Sequence, residues 1–214
     1  MFDKNVEHKF YSVMAHLVTD TEALIKAAAK KVFLKKGLAG ARLEEIAKEA
    51  GIGRTALHYY FRSKEKLYQL VWHEAFAEIG QQSAILERKD LTVVEKMQAF
   101  AEGYFTKSLT EPELDIFMLN EFNNNPEMMV GILANASGLN LPQVFLKEIE
   151  KAVKKGELKG DPRQIFITMF SMCLFSFAGK AMLRSMLNLS ETQYLKLMEQ
   201  RKNYVIEFLA TAFK

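Results

Sequence analysis

The chain has little that would make an enzyme, a secreted domain or a membrane protein. Its single cysteine, Cys173, among 214 residues excludes an intramolecular disulfide and any Cys-rich zinc site. Set in an apolar run, Cys173 reads as a small buried hydrophobe. Only four prolines occur, which together with abundant apolar residues predicts a mostly helical chain with a true core. The longest apolar run, Ile165 to Gly179, is too short for a membrane span and is bounded by Arg163 and Lys180. The N-terminal stretch carries Asp3, Lys4, Glu7 and Lys9 before an apolar patch broken at His16, a poor signal peptide. A cytoplasmic protein without a membrane association is expected. No P-loop, GxSxG or HExxH pattern occurs, and the four histidines, His8, His16, His58 and His73, are scattered. No catalytic residue, cofactor or metal site is therefore expected.

What is present is concentrated between Thr21 and Lys66. Ile46, Ala47 and Ala50 fall on one face of a short helix, and Gly51 follows where the helix must stop. A left-handed backbone there suits a residue without a Cβ. Ile52 fills the corner, Gly53 serves as the N-cap of a second helix starting near Arg54, and Leu57 and Tyr60 point back to the first. This spacing is that of a helix-turn-helix. The outward face of the second helix is then Arg54, Thr55, His58, Tyr59 and Arg62, residue types that suit base edges, thymine methyls and phosphates. Arg54 lies at the helix N-terminus, the end that meets base edges in such motifs. Ser63 reads as the N-cap of the next helix, with Lys64 and Lys66 in its first turn, a poor place for a cation unless a phosphate sits there.

Charge agrees with this assignment. From Thr21 to Lys66, eleven basic residues face five acidic ones for a net +6, while the whole chain carries +3. A basic end on a mildly acidic body is the layout of a DNA-binding domain joined to a regulatory one.

Thr21 to Leu67 resembles the N-terminal domain of the TetR family of bacterial transcriptional regulators. The resemblance rests on TEALIKAAAKKVFLKKG, with Ala27, Ala28 and Phe33 inward and Gly37 as the stop, and on Ile46-Ala47, Ala50-Gly51-Ile52, Leu57, Tyr60-Phe61, Lys64 and Leu67. The stretch from Lys155 to Pro162, KGELKGDP, resembles the loop that these proteins often carry before their dimerisation helices. Three positions depart from the usual choices: Arg42 stands where threonine caps the second helix, His58 where tyrosine is common, and Thr55 where glycine or proline is common. The resemblance implies that Arg54, His58 and Tyr59 face the groove, that Tyr60 and Lys64 hold phosphates, and that Arg42 reaches the DNA backbone.

The expected architecture is all-α. It has an extension (residues 1–19), a three-helix DNA-binding domain (20–66) and a larger helical regulatory and dimerisation domain (67–214). A connector helix is expected over about Lys64 to Gln82. Further helices follow over about Thr92 to Leu109 (with Thr92 and Glu95 at capping-box spacing), Glu111 to Asn123, Pro126 to Asn135 and Leu141 to Lys155. Two long final helices are expected over about Pro162 to Leu187 and Ser190 to Phe213. The first of these is apolar nearly all round and the second has a long apolar stripe, so a homodimer through 162–187 and 190–213 is expected.

Methionine and aromatic residues in the body suit an adaptable apolar pocket as well as a plain core. The candidate lining is Phe100, Tyr104, Phe117, Asn120, Met128, Phe145, Met169 and Phe170. The composite expectation is a homodimeric repressor on a double-stranded operator, released by a small apolar ligand. The alternative is a helical dimeric DNA-binding or interaction protein controlled by a protein partner.

Overall fold

The computed structural model describes residues 4–137 and 141–214, with side chains described for 20–77, 84–132 and 143–214. The side chains of the expected extension, 1–19, thus lie outside the described residues. Among the described residues the elements are helices: α1 (Lys4–Gly40), α2 (Leu43–Glu49), α3 (Arg54–Tyr60), α4 (Lys64–Ser83), a 3-10 turn Ala84–Glu87, α5 (Val93–Thr110), α6 (Leu114–Asn124), α7 (Pro126–Ser137), α8 (Leu141–Lys154), α9 (Pro162–Ala178), α10 (Lys180–Met186) and α11 (Glu191–Thr211). The chain divides into two compact units, Met1–Trp72 and His73–Lys214.

In the first unit α1 buries Ile25, Ala28, Ala29, Val32 and Phe33, a stripe with helical spacing. Ala27 is exposed, not inward; the inward small residue is Ala29, one step round the helix. Gly37 breaks α1 with a φ of 64°, where a Cβ would be strained. The core of this unit continues past Lys66, because Leu67, Tyr68, Val71 and Trp72 are all buried. The Phe33 and Tyr68 rings meet edge to face at 4.9 Å, and Tyr68 meets Trp72 at 5.8 Å. The first compact unit thus runs to Trp72, and the first turns of α4 supply the aromatic floor under α1.

In the second unit α5 packs along α11, with α8 and α9 closing the core. Met97, Phe105, Phe145, Ile149, Met169, Cys173, Phe177, Tyr194, Met198 and Val205 form one buried cluster. Thr92 caps α5 through the reciprocal bonds of a capping box with Glu95, as its spacing predicts. Lys96 is buried and pairs with the Glu148 carboxylate on α8.

The expected single helix over Pro162 to Leu187 is instead two, α9 and α10, meeting at a bend of 74°. Gly179 is the junction, accepting from Leu183 and donating to the Phe175 carbonyl. A Cβ there would lie 2.8 Å from the Phe175 oxygen and 3.0 Å from its ring. The short arm α10 is held down by Glu191, which pairs with Lys180 at 2.6 Å and Arg184 at 2.7 Å. In sequence Gly179 looks like one more small residue in an interface helix; its actual service is to let the Phe175 ring lie across the corner. Gly179→Ala is expected to cost about 1–3 kcal/mol, the range for overpacking, read as a lower midpoint in urea at unchanged slope. Among the described residues no single helix is long and apolar enough to cross a membrane.

Candidate nucleic-acid interface

The turn between α2 and α3 is a Schellman stop. Gly51 sits at a φ of 68°. Its N–H donates to the Lys48 carbonyl at 3.2 Å, and the Ile52 N–H reaches the Ala47 carbonyl at 3.0 Å. Both freed carbonyls at the end of α2 are thereby used. Gly53 then turns the chain into α3 as its N-cap. α3 has seven residues, too few to persist alone. Its fully buried Leu57 fastens it to the unit's core.

That anchoring leaves the opposite face open. Arg54, Thr55 and Tyr59 are exposed, His58 and Tyr60 half-buried, and Arg62 exposed just beyond. Tyr59 is 80% exposed, the extreme among the described large apolar or aromatic residues of this unit, and its ring stands edge-on to Tyr60 at 5.4 Å. A large amphipathic ring held in water on a short, anchored helix is poised for a partner surface.

Arg42 is exposed at the start of α2 and makes no side-chain cap. Glu44 and Glu45 in the first turn supply the negative charge that the helix N-terminus favours. Ser63 caps α4, accepting from the Lys66 N–H at 3.3 Å and donating to Glu65. Lys64 donates to the Ala41 carbonyl at 3.1 Å. This ties the head of α4 to the corner between α1 and α2, a tether that the sequence does not show. An ammonium has three donors, so the tether leaves others to meet a phosphate.

The three acids of α2 are each met by a cation. Lys31 pairs with Glu49 at 3.2 Å, Lys36 with Glu45 at 2.7 Å, and Arg54 with Glu44 at 2.5 Å. The Lys36 hydrogen bond holds the Glu45 carboxyl below its ordinary pKa. Lys48, Arg62 and Lys66 enter no ion pair among the described residues, so their charge is available to a polyanion.

The eight residues put forward for a pocket take different positions in the second unit. Phe145 and Met169 are fully packed in the core, and Phe117 is buried. Met128 is half-buried and Asn120 exposed. Phe100, Tyr104 and Phe170 do come together: Phe100 meets Tyr104 at 5.9 Å and Tyr104 meets Phe170 at 6.4 Å. Phe170 in turn stacks on Phe166. From within this ladder the Tyr104 hydroxyl donates to Asp115, a buried acid on α6 that gives no signal in the sequence. Burial raises the Asp115 pKa above its ordinary value.

Linkage then fixes a sign. A folded-state pKa above the unfolded one contributes stability that is complete below the unfolded value, near 4, and is lost as pH rises through the folded one. The stability of Asp115→Asn relative to the parent chain should therefore rise between pH 4 and pH 7, measured as the difference in melting temperature at each pH. A difference that does not change with pH contradicts this.

A separate groove of about 510 Å³ opens between α9, α10 and α11, with Phe175, Leu183, Leu187, Leu197 and Tyr204 in its walls and Arg201 at its polar end. Arg201 donates to the Ser176 hydroxyl at 2.8 Å. Of its lining, Phe175, Leu187 and Tyr204 are exposed, as are Ile167 on α9 and Met182 and Met186 on α10. None of the eight pocket residues lines this groove.

The sequence profile described as "Bacterial regulatory proteins, tetR family" matches residues 25–71. Residues 25–71 therefore carry the N-terminal domain of the tetR family. The matched span begins at the buried Ile25 and ends at the buried Val71, so it coincides with the core of the first unit. The HTH-type transcriptional repressor NicS of Pseudomonas putida is 35% identical over 99 residues, 44% of this chain and 46% of NicS. The HTH-type transcriptional regulator RutR of Escherichia coli is 47% identical over 51 residues, 24% of each chain. The aligned regions thus span less than half the length of these curated relatives. Solved structures extend the likeness of fold to nearly the whole chain. FadR from Bacillus subtilis, solved in complex with stearoyl-CoA, superposes with a TM-score of 0.63 at 18% identity, covering 90% of this chain and 99% of that one. HlyIIR, a haemolysin II transcriptional regulator, gives 0.63 at 19% identity, covering 87% and 97%. The all-helical fold is therefore shared with these structures at low sequence identity.

Proposed function

We propose that the chain is a homodimeric transcriptional repressor, acting in the cytoplasm, that reads a two-half-site operator with α3 and leaves it when a small apolar ligand enters the second unit. The observation that carries this reading is the open face of α3, where Arg54, Thr55 and Tyr59 stand exposed on a helix fastened by Leu57 alone among its own residues. In the bound state Arg54, His58 and Tyr59 enter the major groove, while Tyr60, Lys64 and Arg42 engage the backbone. Two such heads must be about 34–36 Å or a little more apart to reach successive major grooves.

The pairing surface is the face around the α9–α11 groove. Apolar side chains left in water over so continuous an area are expected to be covered, and a two-fold axis covers both copies with the same residues. Repression as the direction of control is argued by analogy with NicS, a transcriptional repressor. A neighbour of this fold is solved with stearoyl-CoA, whose acyl chain is apolar; this supports a ligand with an apolar part, and the ladder of Phe100, Tyr104 and Phe170 is the surface that we assign to it. Such a ligand acts only through different affinity for two spacings of the heads, with α4, which runs from one unit into the other, as the link.

The test is a fluorescence titration of the 214-residue chain against duplexes selected from a randomised library. Arg54→Ala should weaken binding by about 1–3 kcal/mol if the side chain reads a guanine. An unchanged affinity removes Arg54 from the reading surface. Failure to enrich any sequence at low salt removes the repressor itself.

A further inference from the structure

The pair between Glu44 on α2 and Arg54 on α3 bridges the two helices of the reading motif at 2.5 Å. Both side chains are well exposed, at 60% and 64%. Pairs this open add little to stability, so stability does not account for the placement of a carboxylate beside the leading cation of the recognition helix. The contact is made through one terminal nitrogen, Nη1. It leaves Nε and Nη2, two parallel donors on one edge of the guanidinium, which match the O6 and N7 acceptors of guanine. A free arginine at this site would sample many rotamers and would also be drawn to the nearest phosphate. Anchored by Glu44, it presents one edge in one direction, and its attraction to phosphate is partly cancelled.

We infer that Glu44 is a specificity-determining positioning residue, which aims Arg54 at a guanine and keeps it off the phosphate backbone. This rests on the DNA-reading function proposed above. It distinguishes Glu44 from Glu45 and Glu49, whose partners Lys31 and Lys36 lie on α1, away from the reading helix.

The experiment uses the whole 214-residue chain in five forms: the parent, Glu44→Gln, Glu44→Asp, Arg54→Ala and the Glu44→Gln, Arg54→Ala double variant. Library selection on the parent supplies the operator, and Arg54→Ala identifies the base pair whose preference disappears. Glu44→Gln should lower the preference at that base pair by about three- to tenfold, part of the discrimination a bidentate contact supplies. It should also tighten binding to unrelated duplex by a few fold and steepen its salt dependence, because a repelling charge has gone. Glu44→Asp should restore part of the preference, and the double variant should match Arg54→Ala. The melting temperature should stay within a degree or two of the parent, as for any exposed pair. If Arg54→Ala abolishes a base preference and Glu44→Gln leaves it intact, the positioning role is overturned while the DNA reading stands. If Arg54→Ala changes nothing, or no sequence is selected, both fall together.

Discussion

Placing a carboxylate on the exposed apolar face of α9–α11 should convert the protein to a monomer and all but abolish operator binding. Tyr204→Asp and Met186→Asp are the substitutions of choice. The two side chains are 62% and 72% exposed, so an isolated chain loses little by their removal. Across a two-fold axis, however, each new charge meets its own copy or a desolvated apolar wall, and like charges so placed cost several kcal/mol. Sedimentation should show a species near the 24.5 kDa of a single chain. Operator affinity should drop by at least about 100-fold, since the second head no longer binds at high effective concentration. Far-ultraviolet circular dichroism should be unchanged. A variant that stays dimeric places the pairing surface elsewhere.

Truncating Phe33 should remove DNA binding by a different route. Its ring is fully buried against Tyr68, which meets Trp72. Phe33→Ala leaves a cavity beneath these rings at a cost of about 3–5 kcal/mol. A domain of this size has about 5–15 kcal/mol to spare. The first unit should then melt well below the second, giving two calorimetric transitions with operator binding lost at the lower one. A single transition shifted by a degree or so would mean that the aromatic floor carries little of that unit's stability.

The first unit was largely legible because its turns are set by local chemistry. Gly51 needs a left-handed backbone, Gly53 opens the next helix, and Leu57 follows at a fixed distance; each requirement lies within a few residues of its cause. The same holds for the box of Thr92 and Glu95. What escaped depends on partners remote in sequence. Arg54 finds Glu44 across the turn and Lys64 finds the Ala41 carbonyl, and neither pairing has a sequence period. Ala27 and Ala29 cannot be ranked until the rotation of α1 against its neighbours is known. In sequence Gly179 reads as a small residue for close packing, since only the Phe175 ring folded over it shows that the helix turns there. Asp115 gave no signal, because its burial is a property of α5, α6 and α9 together. Of the candidate pocket, the ladder from Phe100 to Phe170 was legible as aromatic content, whereas the placement of Phe145 and Met169 in the core was not.

The uncovered face of α9–α11 has a consequence for dosage. If two copies must join before either reads an operator with useful affinity, dimer concentration at low copy number varies with the square of chain concentration. A cell that halves its synthesis of this protein then loses about three-quarters of the species that can repress. Control over the regulated genes thus resides partly in how many chains are made, apart from any ligand, and the response to a falling supply is steeper than proportional.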